Sequence, residues 1–248
     1  MKKYAIHESF LTVQGEGSRA GHLSVFLRFA GCNMWDGHPE HRAQGKGACA
    51  RWCDTDFRHG TPMSAAEILV RCDSLWPAGR EGDKWVVITG GEPGLQFDST
   101  LLLLFYDYGW KVAVETNGSV DNPVFHDVDL LTVSPKRGGD VKLMPNGQWG
   151  CYVELKVVLP GDKDNPWTND ELIAFVNQLD PDYCYVQPQD PIIGDRVQES
   201  LLHTSLPSAV PPELKQQFKE NVERCFEVVK ALPGFSISVQ GHKLLGLA

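Results

Sequence analysis

The chain has 248 residues, 42% of them hydrophobic and 22% charged, a size at which roughly three quarters of the unfolded surface can be buried without disulfide or metal staples. Its 23 Lys and Arg against 32 Asp and Glu give a net charge of −9, which argues against the clustered positive surface that nucleic acids need. The longest apolar run, Leu101–Phe105, is far too short to cross a bilayer, and the opening MKKYAIHESF lacks the apolar stretch of a signal peptide; a cytoplasmic protein with no membrane or nucleic-acid partner is expected.

Along the chain the recurring pattern is strand then helix. Leu23–Ala30 reads as the first strand, and Asn33–Ala48, which has no period, as an inserted loop. Ser64-Ala-Ala-Glu67 is a capping box opening a helix that runs to Trp76 and stops at Pro77. Trp85–Thr89 is a short apolar run of the kind covered on both faces. A helix follows at Ser99–Tyr108, then strands at Lys111–Glu115, Asp129–Ser134 and Tyr152–Val158. Thr168-Asn-Asp-Glu171 is a second capping box, leading into an apolar helix and the strand Tyr183–Gln187. Ile193–Val210 is a second irregular insertion. Pro211 and Pro212 begin a long helix with Leu214, Phe218, Val222, Phe226 and Val229 on one face, and Phe235–Gln240 is the last strand. Repeated βα units predict an α/β fold with a parallel sheet. With about seven strands and only four clear helices, an incomplete, TIM-like barrel in a single domain over 1–248 fits better than a full eight-fold one.

Seven cysteines is an odd count, and a reducing compartment favours thiols, metal ligands or redox sites. Cys32, Cys49 and Cys53 lie near a strand end. Three thiolates can hold three irons of a [4Fe–4S] cluster and leave the fourth open. Zinc is equally compatible on spacing alone, with one of His38, His41, His59 or Cys72 completing four ligands. Cys72, Cys151, Cys184 and Cys225 fall in helix or strand patterns and read as buried small apolar residues. The rest of the chain breaks the tie. Gly90-Gly-Glu-Pro93 follows a strand directly, and consecutive glycines let the main chain approach a ligand closely. Glu115-Thr-Asn-Gly118, Ser134-Pro-Lys136 and Gln187-Pro188 end three later strands, where a ligand at the mouth of a βα barrel needs polar groups.

On these residues the chain resembles the radical S-adenosylmethionine superfamily and, within it, the 7-carboxy-7-deazaguanine synthase family of the queuosine pathway. The supporting segments are Thr12-Val-Gln-Gly-Glu-Gly17, Phe29-Ala-Gly-Cys-Asn33, Cys53-Asp-Thr-Asp-Phe57, Thr89-Gly-Gly-Glu-Pro93, Glu115-Thr-Asn-Gly118, Val133-Ser-Pro-Lys136, Glu154-Leu-Lys156, Val186-Gln-Pro188 and Val239-Gln-Gly-His-Lys243. Most superfamily members place three and two residues in the two gaps of the cysteine triad; here the gaps are sixteen and three.

The resemblance implies a carbon–nitrogen lyase that turns 6-carboxy-5,6,7,8-tetrahydropterin into 7-carboxy-7-deazaguanine with loss of ammonia. It implies three cofactors: a [4Fe–4S] cluster on Cys32, Cys49 and Cys53, S-adenosylmethionine cleaved to a 5′-deoxyadenosyl radical, and Mg²⁺ touched by the Thr55 hydroxyl. The residues it assigns to S-adenosylmethionine are Asp54, Thr89, Gly90, Gly91, Glu92, Glu115, Asn117, Ser134, Lys136 and Gln187. Those assigned to the pterin are Gln14, Glu16, Arg28, Gly91, His242 and the terminal Ala248. A flavodoxin- or ferredoxin-like electron donor and a homodimer are the remaining expectations. The rivals are another radical enzyme, such as a glycyl-radical activase, and a non-enzymatic module stabilised by zinc or a cluster. An Arg inside the apolar strand at Arg28 needs a partner in any of these readings.

Overall fold

The computed structural model describes residues 2–143, 149–191 and 211–247. In chain order its strands and helices are β1 (Tyr4–Val13), β2 (Leu23–Phe29), β3 (Thr61–Met63), α1 (Ala65–Leu75), β4 (Lys84–Gly90), α2 (Ser99–Asp107), β5 (Trp110–Thr116), β6 (Leu130–Val133), β7 (Tyr152–Leu159), α3 (Asn169–Leu179), β8 (Tyr183–Pro188), α4 (Pro212–Ala231), β9 (Phe235–Ile237) and α5 (Gly241–Leu245). The nine strands among the described residues form one sheet in the order β3-β1-β2-β4-β5-β6-β7-β8-β9. From β2 to β9 every pairing is parallel, while β1 runs antiparallel to β2 and β3. Among the described residues no ladder joins β9 to β3, so the barrel is open, as the shortage of helices predicts.

The helices start where local chemistry starts them. Ser64 accepts from the Glu67 amide and Glu67 returns the bond to the Ser64 amide, and Thr168 and Glu171 do the same at α3. Asp98 caps α2 through the Leu101 amide. Two strands are missing from the sequence reading, β1 of ten residues and the short β3; in β1 a register shift between Ile6 and Glu8 breaks the alternation that would mark it. The last strand ends at Ile237, three residues before Gln240, and the chain then turns into α5. The loop 33–48 contains a 3₁₀ turn at Pro39–Gln44. The insertion read at 193–210 lies outside the described residues.

Strand alternation divides the sheet into two faces with different tasks. Val25, Leu27, Phe29, Val86, Ile88, Val112, Val114, Leu131, Val133, Leu155 and Val157 point into the main core beneath α1 to α4. The other face has an apolar cluster toward the strand N-termini, where Val87, Ala113 and Leu130 pack with Phe26 and Trp85. Further along the same face come Arg28, Thr89, Glu115, Thr132 and Lys156, which line a cleft. A strand that reads as buried on both sides is therefore covered by helices on one side and floors a polar cleft on the other.

Candidate active site

Because β2 to β9 are parallel, their C-terminal ends share one edge, and the cleft opens there with a volume of about 590 Å³. Cys32, Cys49 and Cys53 line it together with Asp54 and Thr55. Burial pushes all three thiols up, Cys49 to about 12, while Lys136 draws Cys49 and Cys53 back down. The Met34 amide donates to Cys32 Sγ at 3.4 Å, and Arg42 grips the carbonyl oxygens of Ala50 and Cys53 at 2.6 and 3.0 Å.

The glycine pair has a structural reason beyond ligand approach. A Cβ on Gly91 would run into the Gly31 carbonyl and sit 2.7 Å from Cys32 Cβ, so the loop after β4 lies directly on the first cysteine. Gly91→Ala is expected to push the Cys32 loop aside by about an ångström and reduce turnover roughly 10²-fold, without loss of helical circular dichroism. Full activity in that variant would mean the loop yields without cost.

Beside this loop, Glu92 is fully buried and does not line the cleft. Its carboxylate accepts from the Gly94 amide at 2.8 Å, Thr116 Oγ1 at 2.7 Å and the Asn117 amide at 2.8 Å. Burial pushes this carboxyl up and the three donors hold it back. The structure thus gives the Glu92 side chain to tying the β4 and β5 ends together, which differs from direct contact with a cofactor. Asn117 in turn donates to Asn33 Oδ1 at 3.1 Å, and Asn33 to Ser119 Oγ at 2.7 Å, so the residue after Cys32 is fixed to the end of β5.

Deeper in the cleft a charged network centres on Glu16. Lys156 Nζ bonds Glu16 Oε2 and lies 3.7 Å from Glu115 Oε1. Gln187 and Gln240 donate to Glu16 Oε1 at 3.1 and 3.0 Å, and Gln14 donates to Glu115 at 3.1 Å. Burial by itself would push the Glu16 carboxyl up; Lys156, His242 and Gln240 outweigh it and bring it down to about 2. Burial likewise works against the Lys156 ammonium, and Glu115 and Glu16 more than offset it, keeping the cation charged. His242 sits against Gly15, where a Cβ would overlap its Nδ1, and burial pushes its imidazole down. Lys136 donates to Ser134 at 2.7 Å. Arg28 finds the partner its strand demands, Nε donating to Glu8 at 2.7 Å.

The cleft therefore collects Gln14, Glu16, Arg28, Asp54, Thr55, Thr89, Gly90, Gly91, Glu115, Asn117, Ser134, Lys136, Gln187 and His242 beside the three cysteines. Ala248 lies outside the described residues. Asn33, Lys156, Gln240 and Lys243 stand in the quoted motifs, but the sequence assigns them no role. Lys156, like Arg28, is a long cation inside an apolar strand, which is the signal that marks it.

Proteins named 7-carboxy-7-deazaguanine synthase match the chain over most of its length. The one from Burkholderia multivorans is 42% identical over 193 residues, 75% of this chain and 83% of that protein. Those from Caulobacter vibrioides and Bordetella pertussis are 36% and 37% identical, each over 98% of this chain and 99% of the relative. The chain belongs to the 7-carboxy-7-deazaguanine synthase family. No family model matches it. The crystal structure of QueE from Escherichia coli has the same fold, with a TM-score of 0.63 at 22% identity over 97% of this chain and 95% of that one. No helix among the described residues of this synthase-family chain is long and apolar enough to cross a membrane.

The donor set fits the cluster that the family implies. Cys32, Cys49 and Cys53 line one cleft, and a [4Fe–4S] cluster takes one thiolate on each of three irons. The indole N–H of Trp35 is buried with no hydrogen bond of ordinary geometry and lies beside the Cys53 thiol, which it draws down against burial; Cys32 and Cys53 pack against the small core that Trp35 forms with Ala50 and Phe57. A sulfide-bearing group on those thiols would satisfy the indole N–H.

Proposed function

We propose that this chain contracts the ring of 6-carboxy-5,6,7,8-tetrahydropterin to 7-carboxy-7-deazaguanine with loss of ammonia, in the queuosine pathway. The observation that carries the reading is the buried Glu16 carboxylate, held by Lys156, Gln187 and Gln240 inside the same cleft as the three cysteines. When bound, the cluster and S-adenosylmethionine supply the radical chemistry. The residues of the chain orient and enclose the reactants. Cys32, Cys49 and Cys53 hold the cluster. Gly90, Gly91, Asn117, Ser134, Lys136, Gln187 and Asp54 surround S-adenosylmethionine, with Glu92 shaping the loop from beneath.

An ionised Glu16 accepts from the amino and ring N–H edge of a pterin, and His242 and Gln14 flank that edge. Neutral amide donors alone would select the opposite, acceptor-rich edge. Among the described residues Arg28 engages Glu8 through Nε, and its two terminal nitrogens are suited to take the substrate carboxylate in parallel bonds. Thr55 offers a hydroxyl oxygen to Mg²⁺, which prefers oxygen ligands and retains several waters. The reading also takes residues 1–248 as one domain, a flavodoxin or ferredoxin as reductant, and a homodimer as the assembly. These rest on the family resemblance.

Turnover of the carboxylated pterin under anaerobic, reducing conditions with S-adenosylmethionine and Mg²⁺ tests the proposal; absence of product would sink it. Arg28→Met is expected to raise KM for this substrate about 10- to 100-fold, the loss of a charge-assisted bond of roughly 1.5–3 kcal/mol, with kcat little changed. An unaltered KM would leave Arg28 as the partner of Glu8 and nothing more.

A further inference from the structure

His242 is followed by a buried cation that the proposed chemistry leaves unused. Lys243 is 8% exposed although it belongs to a five-residue helix near the end of the chain. Its Nζ donates to Asp54 Oδ2 at 2.8 Å and lies 3.5 Å from Asp190 Oδ2. Asp54 stands between Cys53 and Thr55, and Asp190 lies just beyond β8 and is itself 7% exposed. The helix is pinned on its other side as well, since the Gly241 amide donates to the Gly15 carbonyl at 2.9 Å. A buried ammonium is costly unless paired, and bridging two carboxylates from separate segments fixes all three segments relative to one another.

We infer that Lys243 is a positioning residue that sets the distance between the cysteine loop and the pterin-binding end of the chain. One side chain ties α5, which carries His242, to the residue between the third cysteine and Thr55. The substrate edge and the cofactor side of the cleft then cannot drift apart independently. In a radical reaction this matters because an ångström of misplacement between reacting atoms slows the productive step about 10²-fold while the cofactor can still be consumed.

The inference rests on the reading of the cleft as a radical active site, and two measurements keep the two apart. The first is amide hydrogen exchange on cluster-reconstituted protein without substrate. In Lys243→Met, residues 53–56 and 239–247 are expected to lose protection together while α1 keeps its own; Lys243→Arg, which retains the cation, is expected to restore most of it. Unchanged protection at 53–56 would overturn the strut whatever the enzyme does. The second is the amount of 5′-deoxyadenosine released per ring-contracted product, expected to rise at least tenfold in Lys243→Met and to return toward wild type in Lys243→Arg. A purely stabilising side chain would lower yield and leave that ratio alone, and a constant ratio would count against the inference. If the methionine variant does not fold, Lys243→Gln, which keeps a donor without the charge, takes its place in both measurements. A wild-type chain that forms no product would reject the functional reading, and hydrogen exchange would still decide the strut.

Discussion

Lys156→Met lowers the free energy of unfolding by about 3–5 kcal/mol, the usual cost of removing one member of a buried ion pair. The side chain is 7% exposed and that of its partner Glu16 is 13% exposed. Without the ammonium, the Glu16 carboxylate faces only the Gln187 and Gln240 amides and the neutral-leaning His242. The double variant Lys156→Met/Glu16→Gln, which removes both charges, is expected to recover more than half of the loss, because what destabilises is the orphaned charge. Urea unfolding of the two variants and wild type reads this directly. Equal destabilisation of single and double variants would refute it.

The pH dependence has a definite sign. Glu16 is lowered from 4.5 to about 2, so its contribution is complete above pH 4.5 and is lost as pH falls toward 2. Lys156 is raised above 10.5, so its contribution is complete below that value and is lost on going more alkaline. Between about pH 5 and 9 wild-type stability owes nothing to titration of this pair. In Lys156→Met the unpaired Glu16 protonates more readily, and the gap to wild type narrows below about pH 5.

Cys49→Ala abolishes ring contraction, a loss of about 10⁶-fold or more, because the cofactor that supplies the chemical step is no longer held. The chain itself should remain folded. Removing one buried sulfur costs about 1 kcal/mol, and the site's small core of Trp35, Ala50 and Phe57 stays in place. Iron and sulfide analysis with visible spectra of anaerobically reconstituted protein checks the cause: Cys32→Ala, Cys49→Ala and Cys53→Ala lose the cluster signature. Cys72→Ala and Cys225→Ala serve as controls, because those sulfurs are fully buried in the main core; they lose about 1 kcal/mol and keep iron and activity. A wild-type protein with one zinc and no sulfide would end the cluster reading, and a Cys49→Ala variant with full iron would remove Cys49 from it.

How far the chain could be read before folding depends on how local each signal is. The capping boxes at Ser64 and Thr168 act over three residues, and α1 and α3 begin where they predict. The parallel order followed from βα alternation, and the motifs at strand ends were legible because parallel strands deliver them to one edge. β1 was not legible, since its bulge spoils the period of two near Ile6. The Gly90–Pro93 motif places Glu92 near the site, while the direction of its carboxylate depends on Thr116 and Asn117 at the end of the next strand.

The fold class, the grouping of the three cysteines and the polar residues at the barrel mouth are legible in the chain, because all of them depend on order and short spacing. Which charges and amides hold one another depends on the folded chain. Lys156 and Glu16 are 140 positions apart, Lys243 and Asp54 189, and Asn117 and Asn33 84. No local preference encodes such pairs. They exist because an open parallel sheet brings the ends of distant strands to one edge, where a buried charge must find an opposite charge or not be buried at all.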